Sequence, residues 1–265
     1  MSALTAHHDA LRALFDERKT VAGVVGRRLL GVSRPDDDEL ADHLIRERRR
    51  RSTLDGSIDR SLLLTAYALR ELLDLQAPPD HAAVVRLSGY LLQQQNAPGR
   101  WGENEGEGSG FFSPGPSEAP VAPLVIHTGV LFDREADARF AVSCLALRQV
   151  IRAGHEERAS VRAHLEVLLG IGPSALKPEL AALALAALAM ASPDIRERVT
   201  GWTEALIAAD LPAAHLFEAL VPVPEARTRA LVAEHLESLP PLPADADEDV
   251  ALLYARAAAT AALAR

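Results

Sequence analysis

Proline and glycine cut this chain into short lengths, and that punctuation limits what it can fold into. Breaks fall at Pro35, Pro78-Pro79, Gly154, Gly170 to Pro173, Pro193, Pro212, Pro222 and Pro224, and Pro240 to Pro243. Between them lie segments rich in Leu and Ala, at about 11–30, 36–51, 57–75, 81–95, 135–153, 155–169, 178–191, 195–209, 213–220, 225–239 and 247–264. Proline lacks the amide that a helix interior needs, and glycine weakens one, so each break ends a helix. The pattern predicts roughly ten to twelve helices joined by short turns, the rhythm of stacked helical hairpins.

Composition agrees. Apolar residues make up 48% of the 265 positions but aromatics only 4%, so the core is built from Leu, Ala and Val. No stretch shows sustained alternation of apolar and polar residues, and an all-α fold is expected. The formal net charge of −9 argues against a general nucleic-acid surface. One basic run, Arg46 and Arg48 to Arg51, is balanced by Asp36 to Glu39 and reads as a solvated helix. The single Cys144 excludes an internal disulfide and a multi-cysteine zinc site. The N-terminus has no charged segment followed by an apolar one, and the run from Leu180 to Ala191 is too short to span a bilayer. A cytoplasmic protein without a membrane span is expected.

Between 97 and 123 the rhythm stops. Six glycines and five prolines fall there, so no helix can cross it, and a loop of that length in a compact domain is usually functional or disordered. A weak repeat brackets it. Asp55, Asp59, Thr65, Ala68, Leu69 and Arg70 recur in type, 78 residues later, as Asp133, Asp137, Ser143, Ala146, Leu147 and Arg148. A fainter third copy runs from Asp247 to Arg256. The organisation expected is N-terminal helices over 1–52, packed on a helical-hairpin domain over 53–265 that carries the loop 97–123.

Asp55-Gly56-Ser57, then Thr65-Ala66-Tyr67-Ala68-Leu69, then Gln95-x-x-x-Gly99-x-Trp101, resembles one repeat of the squalene/hopene cyclases, related terpenoid cyclases and protein prenyltransferase β subunits. The match covers about residues 54–102. The resemblance implies an α/α toroid around an apolar central cavity; an open HEAT-like solenoid is the alternative. The chain departs from the family's chemistry. Ser61 to Leu64 precede Thr65 where class II cyclases carry Asp-x-Asp-Asp, and Val142 stands two residues before Cys144, where the zinc-binding members carry Asp. No metal and no cofactor are expected. The acidic runs Asp36 to Glu39 and Asp245 to Asp249 read as helix N-termini.

Candidate catalytic residues are Asp55 and Asp59, at the start of an inner helix, and His127, whose ordinary pKa lies near neutrality. Tyr67, Trp101, Phe111 and Phe112 are the candidate substrate contacts. Each has a plainer reading: caps for the aspartates, a satisfied core group for His127, packing for the aromatics. Alternating Glu103, Glu105 and Glu107 fit no calcium loop. The function expected is binding, and cyclising or otherwise processing, an apolar isoprenoid- or polyketide-like molecule in a central cavity. The alternative is a non-catalytic scaffold for a protein partner. A homodimer is expected if the ring is incomplete.

Overall fold

A computed structural model describes residues 3–97, 100–101 and 120–264. In chain order the elements are α1 (Ala3–Phe15), α2 (Val21–Leu29), α3 (Asp37–Arg51), α4 (Leu62–Asp74), α5 (Ala82–Gln93), β1 (Gln95–Ala97), β2 (Arg100–Trp101), β3 (Pro120–Val125), β4 (Leu131–Arg134), α6 (Glu135–Arg152), α7 (Ala159–Ile171), a 3-10 turn, α8 (Pro178–Leu188), α9 (Pro193–Glu197), α10 (Thr200–Ile207), α11 (Ala213–Leu220), α12 (Ala226–Ser238) and α13 (Glu248–Ala262). The fold is all-α, with two small antiparallel hairpins. No described helix is long and apolar enough to cross a membrane.

The helices follow the punctuation closely, with informative exceptions. The segment expected as one helix from 11 to 30 is two. Thr20 ends the break by capping α2, its hydroxyl accepting from the Gly23 amide. A break that uses neither proline nor glycine leaves little trace in sequence. The close return of α2 onto α1 depends on Gly26, where a Cβ would strike the ring of Phe15. Helix α5 is capped by His81 Nδ1 rather than by Asp80. Asp37 does more than open α3: its carboxylate is buried against the Arg27 guanidinium, and it accepts from the Arg34 amide at 2.9 Å. Asp247 does cap α13, accepting from the amides of Asp249 and Val250.

The β3–β4 hairpin was not expected, although its alternation is visible afterwards. Leu124, Ile126, Val130 and Phe132 are buried while Val125 and Leu131 are exposed. The run is shorter than the window in which alternation stands out, and it follows five prolines.

One hydrophobic cluster runs through the described molecule. Six helices pack in succession: α2 on α4, α4 on α6, α6 on α8, α8 on α11, α11 on α13, and α13 back on α2. Helices α1, α3, α5, α7, α10 and α12 pack on members of that succession. Burial separates the two sets. In α8 every residue from Leu180 to Leu188 is buried, whereas α7 and α12 bury only a stripe, Val161/Leu165/Leu168 and Val232/Leu236 among them. Alanine-rich faces let the first set approach closely.

Candidate functional site

Asp55 and Asp59 lie in the turn before α4, and both are exposed. One oxygen of Asp55 is held there. Its Oδ1 accepts from the Ser57 amide at 3.0 Å, from the Ser57 hydroxyl at 2.8 Å and from the Thr53 hydroxyl. These bonds, the Thr53 hydroxyl's first, hold the carboxyl below its ordinary pKa. Gly56 has φ +91°, and a Cβ there would collide with the Arg86 carbonyl. Thr65 closes the turn from the helix side: its hydroxyl accepts from the Ile58 amide at 2.9 Å and donates to the Ser61 carbonyl at 2.6 Å. Asp55, Gly56, Ser57 and Thr65, part of the stretch that carries the family resemblance, therefore build a turn. Gln95 is similar, its Nε2 donating to the Ser160 carbonyl in the first turn of α7 at 2.8 Å. The side chain of Trp101, and Phe111 and Phe112 altogether, lie outside the described residues.

His127 and Tyr67 are brought together. Ile126 to Val130 form the tight turn between β3 and β4, closed by the Gly129 amide on the Ile126 carbonyl at 2.8 Å, with Gly129 at φ +82°. Ile126, Thr128, Val130 and the side chain of His127 are buried, while Gly129 is exposed. The His127 ring is edge-on to Tyr67 at 5.5 Å between centroids, and its backbone amide donates to Tyr67 Oη at 3.2 Å. Thr128 Oγ1 bonds His215 Nδ1 at 3.0 Å, and His215 Nε2 lies 2.8 Å from the Glu179 carbonyl oxygen. Because the carbonyl can only accept, His215 carries its proton on Nε2 and accepts from Thr128. Burial keeps it neutral, its pKa lowered to about 4.

The turn meets a cluster of charges from four helices. Tyr67, Arg70 and Asp74 share one face of α4, Arg148 and Arg152 one face of α6, His215 and Glu218 one face of α11, and Asp249 and Arg256 one face of α13. Asp74 bridges Arg152 at 2.7 Å and Arg256 at 2.6 Å; Arg70 pairs with Asp249 at 2.6 Å and stands 5.3 Å over the Tyr67 ring; Arg148 pairs with Glu218. Glu218 Oε2 is also 3.4 Å from His127 Nε2. The side chains of His127, Arg148, Glu218 and Asp74 are each under 5% exposed.

The electrostatics follow from burial. Removal from water, reinforced by Arg70, holds the His127 pKa well below its ordinary value, with Asp249 opposing. At neutral pH the ring is uncharged. The Glu218 carboxylate facing Nε2 favours the proton on that nitrogen, which leaves the Nδ1 lone pair available. Asp74 is also desolvated, but Arg256 and Arg152 outweigh this and hold its carboxyl well below the usual range. Burial pushes the Tyr67 phenol up to about 12, so it stays protonated. Several polar atoms remain unpaired: both His127 ring nitrogens and the Nε atoms of Arg70 and Arg148 are buried without a hydrogen-bond partner. Such atoms are uncommon in native interiors and call for an explanation.

Arg70, Asp74, Arg148, Glu218 and Arg256 are not singled out by the sequence, yet a signal for them is present. The repeat aligns Arg70 with Arg148, and its third copy ends on Arg256; all three reach the cluster. Asp74 and Arg152 are also 78 residues apart, so equivalent positions of two repeats carry opposite charges and pair. Among the described residues, no group of three or more His, Cys, Asp or Glu side chains is arranged to hold a metal ion. Protein-family models give no match to the chain, and neither do the curated proteins.

Proposed function

We propose that the protein is a terpenoid cyclase-like α/α toroid, acting in the cytoplasm, that binds a small molecule with an apolar, isoprenoid- or polyketide-like body, with His127 at the polar end of the site. The closed succession of helices from α2 through α13 supports the ring reading, and the repeat over 54–102 supports the family. The observation that carries the binding reading is His127 itself: a neutral imidazole, buried, oriented by Glu218 and Tyr67, with no hydrogen-bond partner at either nitrogen. An imidazole with a lowered pKa is unprotonated at neutral pH, so it offers an acceptor lone pair and no acidic proton. The chemistry this supports is proton abstraction from, or hydrogen bonding to, a ligand, rather than the alkene protonation of class II cyclases.

A second reading is favoured by Asp74. Its two arginine partners tie α4, α6 and α13 together, which suits a rigid scaffold for a protein partner. Native mass spectrometry with organic extraction separates the two. The binding reading expects a small apolar molecule on the purified protein, or uptake of added farnesol, reduced in His127→Ala. A folded protein that takes up neither favours the scaffold.

A further inference from the structure

The cluster around His127 is not balanced in charge. Among its described residues four guanidiniums, Arg70, Arg148, Arg152 and Arg256, face three carboxylates, Asp74, Asp249 and Glu218. His127 adds none, being neutral. Arg48 and Glu71, at its edge, cancel each other. A buried charge without a counter-charge is costly, and a chain does not keep one in its core without return. Arg148 bears that cost most directly, since burial and the neighbouring Arg152 and Arg256 oppose its charge.

Unused donors lie in the same cluster, since Arg148 and Arg70 each leave Nε unbonded. We infer that the cluster receives the carboxylate of a small organic acid, with Arg148 and Arg70 as its donors. This rests on the ligand-binding reading above and names the head group of that ligand. A carboxylate supplies one negative charge, which closes the balance, and acceptor oxygens that match guanidinium geometry. A phosphate monoester carries nearly twice that charge at neutral pH and would overshoot. One wall of the cluster is reached from a cleft of about 140 Å³ between α2, α3, α4 and α13, where Arg48, Arg70, Glu71, Asp74, Glu248 and Asp249 stand beside the apolar Val21, Ala22 and Leu252. The apolar residues offer a wall to a short apolar chain there, and Arg70 offers its head group a cation.

Hexanoate, 1-hexanol and inorganic phosphate, compared by calorimetry on the intact chain, test this. Hexanoate is expected to bind at least about tenfold more tightly than 1-hexanol, as a charge-assisted contact implies. Arg148→Met should erase that preference. Equal binding of hexanoate and 1-hexanol overturns the carboxylate inference while leaving the apolar-ligand reading standing. Failure of both to bind overturns both. Phosphate binding more tightly than hexanoate overturns the choice of a carboxylate. Should Arg148→Met fail to fold, Glu218→Gln carries the test: it widens the cationic excess, so hexanoate should bind it more tightly than the wild type, and weaker binding overturns the inference. Ligand-free stability gives an independent reading. Arg148→Met brings the charges to three against three and should lose less stability than Glu218→Gln, although both break one ion pair; the reverse order contradicts a cationic excess.

Discussion

Two tight turns in this molecule contain potential acid–base residues, and they have opposite characters. The turn at Asp55-Gly56-Ser57 sits at the surface, and Asp55 Oδ1 is occupied by three donors from its own turn. The turn from Ile126 to Val130 buries all but Gly129 of its side-chain face, and the buried imidazole it carries has no hydrogen-bond partner. A carboxylate with one oxygen tied up by its own turn is committed largely to structure. A buried imidazole with free nitrogens has kept its bonding capacity. The Asp55-Gly56-Ser57 part of the motif is therefore architectural, while the candidate chemistry is held by Tyr67 and a hairpin with no motif.

The sharpest test of the buried side is Asp74→Asn. It leaves Arg152 and Arg256 without their shared counter-ion, and removal of one partner from a buried ion pair costs about 3–5 kcal/mol. Urea denaturation should show that loss at neutral pH; a change below about 1 kcal/mol would place the network in water and dissolve the contrast with the first turn.

Acid should separate the two turns next. His215 and His164 have folded pKa values lowered to about 4, against about 6.5 in the unfolded chain. A depressed folded pKa gives stability that is complete above the unfolded value and lost as pH falls toward the folded one. Stability should therefore drop between pH 6.5 and 4, by on the order of 3 kcal/mol for each histidine. Replacing His164 with Gln and repeating the titration should flatten part of that slope. The depressed pKa of Asp55 adds nothing in this window, since its contribution is lost only below the unfolded carboxylate value.

On the surface side, Gly56→Ala forces a side chain into a left-handed position against the Arg86 carbonyl. The expected cost is about 3 kcal/mol, with no effect on ligand binding at His127. Loss of binding with an intact fold would join the two turns functionally. The smallest effect concerns the lock on the hairpin. Thr128→Val removes the donor to His215 Nδ1 and leaves a buried acceptor unpaired, costing about 2 kcal/mol. Amide hydrogen exchange should then rise at Gly129 and Val130 and stay unchanged at Gly56 and Ser57.

How legible this was in the sequence follows the same division. Helix positions were legible because proline and glycine punctuate the chain locally; the α1–α2 break was not, because a threonine cap and close packing create it. Tyr67 and His127 were both legible as candidates, but nothing in the sequence joins residues 60 positions apart through a hairpin turn. The charged cluster was half legible. Arg70, Arg148 and Arg256 stand at matching places in the repeat, yet arginines on helices usually face water. Only packing reveals that these face one another and that Asp74, Asp249 and Glu218 are drawn in to meet them.

Amide and imidazole NMR of the isotope-labelled protein, with farnesol and hexanoate added separately, tests the central claim most directly. The account predicts that ligand shifts the His127 and Tyr67 signals, with the imidazole neutral at pH 7 and protonated on Nε2 before addition, while the Asp55, Gly56 and Ser57 amides stay in place. Shifts confined to the Asp55 turn, or an imidazole at position 127 that titrates near pH 6.5 and ignores both ligands, would contradict it.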